Sequence, residues 1–235
     1  MQNLTERYEA IKTSFQRLSD FSAEDLESSR ALFETSTFIP TPRRFDVWTC
    51  ICGLPVSYAL TTRLRALAGS VQALLPPGTR TYWVDPRNYH CEILVIKRPD
   101  EEVPEPWLRE TATILDRVSA VQPPFIIVYE GLVITPDGTV IAQGYGQLDE
   151  LRSRLRASVP VASPRQSNLA HISLGRILDP IGQPQFAVLQ AFVKASQGEP
   201  CGTLWVDTVK YVHERQWYME DRDVVGTFRL GTHQS

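Results

Sequence analysis

Residues 169–177 read Leu169-Ala170-His171-Ile172-Ser173-Leu174-Gly175-Arg176-Ile177, and residues 89–96 read Tyr89-His90-Cys91-Glu92-Ile93-Leu94-Val95-Ile96. Both are apolar runs interrupted by a histidine and, two positions on, by another polar group. Strand side chains alternate between faces. His90 and Glu92 therefore share a face, with Cys91 and Ile93 opposite; His171, Ser173 and Gly175 share another, with Ile172 and Leu174 opposite. On that count Arg176 falls opposite His171 unless the strand twists or ends there. Taken singly, each histidine reads as a satisfied side chain on a half-buried strand. Two matching strands weigh against that reading.

Working outward, the chain is α+β. Leu4, Tyr8, Ile11, Phe15 and Leu18 form one helical stripe. Ser22 caps an expected second helix running to Glu34, with Glu24 and Asp25 in its first turn, before Pro40 and Pro42. Residues 1–42 read as an added helical layer on the core or on a protein partner. From 43 to 235 strands and helices alternate: strand 45–52, helix 56–75, strands 79–84 and 89–96 around Asp85-Pro86-Arg87-Asn88, helix 106–120 and strand 125–129. Strands 132–134 and 140–142 flank Thr135-Pro136-Asp137-Gly138, a hairpin signal. Helix 148–158, strand 169–177, helix 185–195 and paired strands 203–213 and 224–230 complete the reading.

The 235 residues carry 24 basic and 27 acidic side chains, and 43% belong to the hydrophobic set, which excludes global disorder. No apolar run approaches the roughly 18–20 residues of a membrane span, and no signal pattern opens the chain. Cys50, Cys52, Cys91 and Cys201 make neither a disulfide framework nor a zinc spacing. The expectation is a soluble, cytoplasmic protein with no metal and no cofactor. Charge is uneven. Residues 43–98 hold eight bases against three acids, and residues 151–178 hold five arginines and no acid. This reads equally as solvated faces balanced elsewhere or as a positive field around an anionic ligand.

Other chemistries are poorly served. Gly144-Tyr145-Gly146 lacks the third glycine of a dinucleotide fingerprint, and there is no Gly-Lys-Ser/Thr loop. Cys91 points away from His90 and is no nucleophile for it. His213 reads as structural or surface, and His233 as solvent-exposed. Trp205, Tyr211, Trp217 and Tyr218 are capable of stacking on a base, but their spacing reads better as core.

The paired motifs resemble the two-histidine (2H) phosphoesterase superfamily, which includes 2′-5′ RNA ligase-like and cyclic phosphodiesterase-like enzymes. Its signature is His-x-Thr/Ser-x once in each of two lobes. His171-Ile172-Ser173-Leu174-Gly175-Arg176 matches it closely, and the order of elements agrees over about 45–230. The resemblance implies a bilobal fold, two antiparallel sheets facing across a cleft with helices outside. It implies metal-independent cleavage of a cyclic phosphate or a nucleotide- or RNA-derived 2′-linked phosphodiester. His90 and His171 would be the catalytic acid and base, with Ser173 on a phosphoryl oxygen and Arg176 offsetting charge.

One departure stands out. Glu92 occupies the hydroxyl position of the first motif, and an ionised carboxylate is acceptor-only and repels phosphate. Glu92 would then address a hydroxyl, base or basic group of a particular ligand, or orient His90 and keep it protonated. The alternative is a non-catalytic nucleotide- or RNA-end-binding module on the same fold.

Overall fold

Asn3 starts the first helix by a reciprocal cap: its side chain accepts the Glu6 N–H at 2.9 Å, and the Glu6 carboxylate accepts the Asn3 N–H at 3.1 Å. The structure, a computed structural model, describes residues 3–37 and 39–231. Helix α1 (Leu4–Arg17) buries Tyr8 and Phe15. The expected helix to Glu34 does not form. Ser22 does cap, its hydroxyl accepting the Asp25 N–H, but only one turn follows, α2 (Glu27–Arg30). Strand β1 (Phe33–Glu34) then pairs with β2 (Thr41–Pro42). Tertiary partners override helix propensity here: Phe21 exchanges backbone hydrogen bonds with Ile181, and Phe21, Leu26 and Phe33 all enter the main core.

Strand β3 (Arg44–Cys52) leads through Ser57, the cap of α3 (Tyr58–Leu74), to β4 (Thr81–Trp83). Asp85 caps a single 3₁₀ turn, Pro86–Asn88, before β5 (Cys91–Lys97). Helix α4 (Glu105–Ala120) precedes β6 (Phe125–Ile134) and β7 (Thr139–Gly146). The turn between β6 and β7 is the hairpin read from Pro136-Asp137-Gly138, with Gly138 at φ +81°. Then come α5 (Leu148–Ser158), β8 (Ile172–Ile177), α6 (Gln183–Ala195), β9 (Pro200–Val206), β10 (Thr208–Gln216) and β11 (Asp221–Arg229).

Two antiparallel sheets organise these elements, in the orders β11-β10-β3-β5 and β4-β8-β7-β6-β9. Strands β4 and β5, neighbours in sequence, lie in different sheets, so the Asp85–Asn88 turn joins two lobes and closes no hairpin. The expected single strand over 203–213 breaks at Asp207 for the same reason, β9 serving one sheet and β10 the other. Burial falls on Leu204 and Val206, then on Val209 and Tyr211. That slip of phase marks the crossing. Helices α3 and α6 cover one sheet, α4 and α5 the other, while α1 lies over β6 and β7. The Tyr8 hydroxyl accepts the Gly144 N–H at 3.1 Å, tying the N-terminal helix to the sheet. Among the described residues no helix is long and apolar enough to cross a membrane.

Candidate active site

Each histidine sits one residue before its strand, outside the hydrogen-bonded ladder expected to contain it. There the backbone is free to present the ring. The Asp85-capped turn carries the Asn88 carbonyl to 2.7 Å from His90 Nδ1. A carbonyl only accepts, so Nδ1 carries the proton and Nε2 is left for the cleft. Arg222 holds Asn88 by its side-chain oxygen at 2.8 Å. His171 differs: its Nδ1 is buried with no hydrogen-bond partner among the described residues.

Bulges decide which side chains join the histidines. Ile141 pairs Ser173 and Val140 pairs Gly175, so β8 carries one extra residue, Leu174. An extra residue reverses the alternation beyond it. Arg176, on the wrong face by strict period two, is thereby returned to the face of His171 and Ser173. Gly175 is required beside the bulge, since a Cβ there would lie 2.5 Å from the Tyr82 carbonyl oxygen. Strand β5 has two such irregularities, after Glu92 and after Val95, and Arg98 follows on the cleft side.

The result is one solvent-open cleft of about 220 Å³. His90, Glu92, His171, Ser173 and Arg176, the residues singled out in the sequence, all line it. Arg98, Ser167 and Glu214 line it too, and sequence reasoning missed them; Trp217 and Tyr218, weighed in the sequence as base-stacking aromatics, also line it. A signal for Glu214 existed in its spacing, two residues after Val212 on one strand phase, and the structure buries both. Trp217 and Tyr218 pack with the main core, as read, and also form part of the cleft wall; Trp217 stacks on Phe45 with ring centroids 4.0 Å apart. Trp205, also read as core, is 58% exposed, while Tyr211 is buried. Tyr218 and Met219 adopt left-handed φ of 64° and 61°, a strain of roughly 1–2 kcal/mol per residue. Two contacts hold it: the Glu214 carboxyl accepts the Met219 N–H at 2.9 Å, and the Tyr218 hydroxyl meets Arg176 Nε. Arg176 also donates to the Ser29 hydroxyl and to Asp137, so α2 helps to orient it.

Burial and neighbouring charge set the protonation states. His171 is pushed down to about 4 by desolvation, then by His90, Arg152 and Arg176. Desolvation also lowers His90, although the Asn88 carbonyl favours its protonated form. Glu92 is raised by burial, against the pull of Arg98, whose Nη2 lies 3.9 Å away. Glu214 rises to about 8, through burial and the nearby charge of Glu92.

The basic stretches are mostly paired locally. Arg43, Arg44, Arg63, Arg80, Arg87 and Lys97 each lie within ion-pair distance of a carboxylate. Only Arg98 and Arg176 of the basic residues in these two stretches line the cleft. His213 lies outside it, 2.7 Å from Asp46 and stacked on Trp48, and His233 falls outside the described residues. Among the described residues, no three His, Cys, Asp or Glu side chains cluster as a ligand set.

No family model matches the sequence, and no curated protein does. Solved structures do match. TT0787 of Thermus thermophilus superimposes with a TM-score of 0.54 at 16% identity, over 80% of this chain and 99% of that one. A protein solved as a phosphoesterase gives 0.52 at 14%, over 80% and 99%. E. coli LigT complexed with 3′-AMP gives 0.52 at 15%, over 79% and 98%. The chain has the fold of the two-histidine phosphoesterases.

Proposed function

We propose that the cleft cleaves a phosphodiester without a metal, by two-histidine general acid–base catalysis on a cyclic phosphate or a nucleotide- or RNA-derived 2′ linkage. The observation that carries this reading is the bulge at Leu174, which sets His171, Ser173 and Arg176 on one wall opposite His90. His171, held neutral, takes a proton from water as the water oxygen attacks phosphorus. The P–O bond to the ribose oxygen breaks, and His90 delivers a proton to that oxygen, leaving a phosphomonoester. His90 takes the acid role because the Asn88 carbonyl opposes the desolvation that lowers it, and the charge of a bound phosphate would oppose it too.

Glu92 fits this chemistry through its protonated form. Burial favours its protonated form, and a carboxylic acid donates an O–H where relatives place a hydroxyl. E. coli LigT structures complexed with 3′-AMP and with NADP+ support nucleotides as the ligand class. Four buried free thiols support a reducing, cytoplasmic location. Residues 1–42 are read as an extension that braces the cleft through Ser29.

The test incubates the full chain with 2′,3′-cyclic nucleotides and 2′-5′-linked dinucleotides in EDTA. Hydrolysis that disappears in His90→Ala and His171→Ala is the expected result. Saturable binding without turnover would instead favour the non-catalytic binding module. Neither binding nor turnover overturns both readings.

A further inference from the structure

Helix α5 sends one guanidinium beneath the cleft. Arg152 is 2% exposed. Its Nε donates to the Ile93 carbonyl at 3.0 Å, and its Nη2 donates to the carbonyls of Glu92 at 2.8 Å and Leu169 at 2.6 Å. Glu92 and Ile93 lie where the β3–β5 ladder is interrupted, so their carbonyls are open to a side-chain donor. Leu169 lies two residues before His171. One rigid fork thus grips β5 just after His90 and the loop leading into β8 just before His171. Lysine, a point charge on a flexible stem, cannot reproduce that planar grip.

The charge of Arg152 is also poorly compensated. Its nearest carboxylate, Asp149, lies 3.7 Å from Nη1, is nearly half exposed, and pairs with Arg7 at 3.0 Å. Nη1 has no hydrogen-bond partner among the described residues.

We propose that Arg152 is the positioning residue of the cleft, fixing the two histidine-bearing segments to each other and placing a poorly compensated positive charge behind His171. This rests on the phosphodiesterase reading only for its effect on turnover. The other charged and titratable groups facing the cleft are His90, Glu92, Arg98, Arg176, Glu214 and Tyr218. None of these bridges both segments through the backbone. The same positive charge is among the causes that depress His171.

Two variants of the full chain separate geometry from charge. Arg152→Gln removes the charge, and histidine-ring NMR should show His171 titrating at higher pH than in the wild type. Arg152→Lys keeps the charge, so His171 should titrate as in the wild type. Its amides over 164–172 should nevertheless exchange faster with solvent, and turnover of 2′,3′-cyclic AMP should fall by about a hundredfold, the cost of a misplacement near 1 Å. An unmoved His171 in folded Arg152→Gln overturns the electrostatic role. Wild-type exchange in Arg152→Lys overturns the positioning role, and decides it even if Arg152→Gln fails to fold. If both physical changes occur but the wild type hydrolyses nothing, Arg152 keeps its role and the phosphodiesterase reading falls.

Discussion

The segment at His90 and the segment at His171 use one backbone plan and end in opposite chemistry. Each histidine precedes a strand, and each strand is bulged so that a later arginine faces the cleft. Around His90 the wall is acidic: Glu92 lies two residues on, and Glu214 faces the same cleft from β10. Around His171 the wall is a hydroxyl and a cation, Ser173 and Arg176. The imidazoles differ in support as well, His90 on the Asn88 carbonyl and His171 without a partner for Nδ1 among the described residues. A repeated motif therefore does not mean repeated function. In the proposed mechanism, unequal surroundings separate two groups of the same chemical type into an acid and a base.

The harshest way to break this contrast is to remove each imidazole. His171→Ala and His90→Ala should each lower kcat on 2′,3′-cyclic nucleotides by about 10²–10⁴-fold. A steady-state assay that finds either variant near wild-type activity removes that histidine from the chemistry.

A smaller effect is expected at Glu92. Glu92→Ala should cost about 10²-fold in kcat, as loss of a donor to a developing charge does. Glu92→Gln, which still donates, should stay within about tenfold of wild type. Glu92→Thr should restore the hydroxyl and raise turnover of simple cyclic phosphates. If Gln and Ala lose equally, the side chain acts as a carboxylate, and the neutral-acid role is wrong.

The third effect lies in pH. Glu214, raised to about 8, is neutral below that value and ionises above it, placing negative charge in the cleft proposed to take a phosphodiester. Substrate affinity should fall as pH rises through about 8, and Glu214→Gln should flatten that limb. Stability follows the same sign. A raised acid contributes fully below its ordinary value near 4.5 and loses that contribution as pH climbs to about 8. Glu214→Gln should therefore be more resistant to urea at pH 9, by about 1–3 kcal/mol. His171 works in the other direction. Lowered from 6.5 to about 4, it contributes above 6.5 and loses that contribution as pH falls to about 4. An unfolding series with no alkaline difference between wild type and Glu214→Gln would place the Glu214 proton elsewhere.

The smallest expected effect is that of chelation. Activity in EDTA should stay within about twofold of the untreated enzyme, since both proton transfers are assigned to histidines. Loss in EDTA with recovery on adding a divalent ion would require a different mechanism.

Much of this architecture was legible from local pattern. Helix 148–158 agrees with α5 to the residue, and the hairpin at Pro136-Asp137-Gly138 formed as read. The alternation that placed His90 with Glu92 and His171 with Ser173 also held. Such signals are short-range. A helix repeats every three to four residues and a strand every two, so apolar spacing alone says which side turns inward.

The remainder needed the folded chain. Residues 22–34 carry the marks of a helix, yet Phe21 and Phe33 found partners elsewhere that no local spacing encodes. Strict alternation put Arg176 on the wrong face, because the extra residue at Leu174 exists only in the pairing of β7 with β8. Glu214 and Arg98 reach the cleft from segments more than a hundred residues apart. Local pattern was enough for the two histidine segments and the layers that carry them, because period and capping are properties of neighbouring residues. Which charges meet and which protons stay on emerged only with the folded chain, because desolvation and Coulomb attraction depend on distance in space and not along the chain.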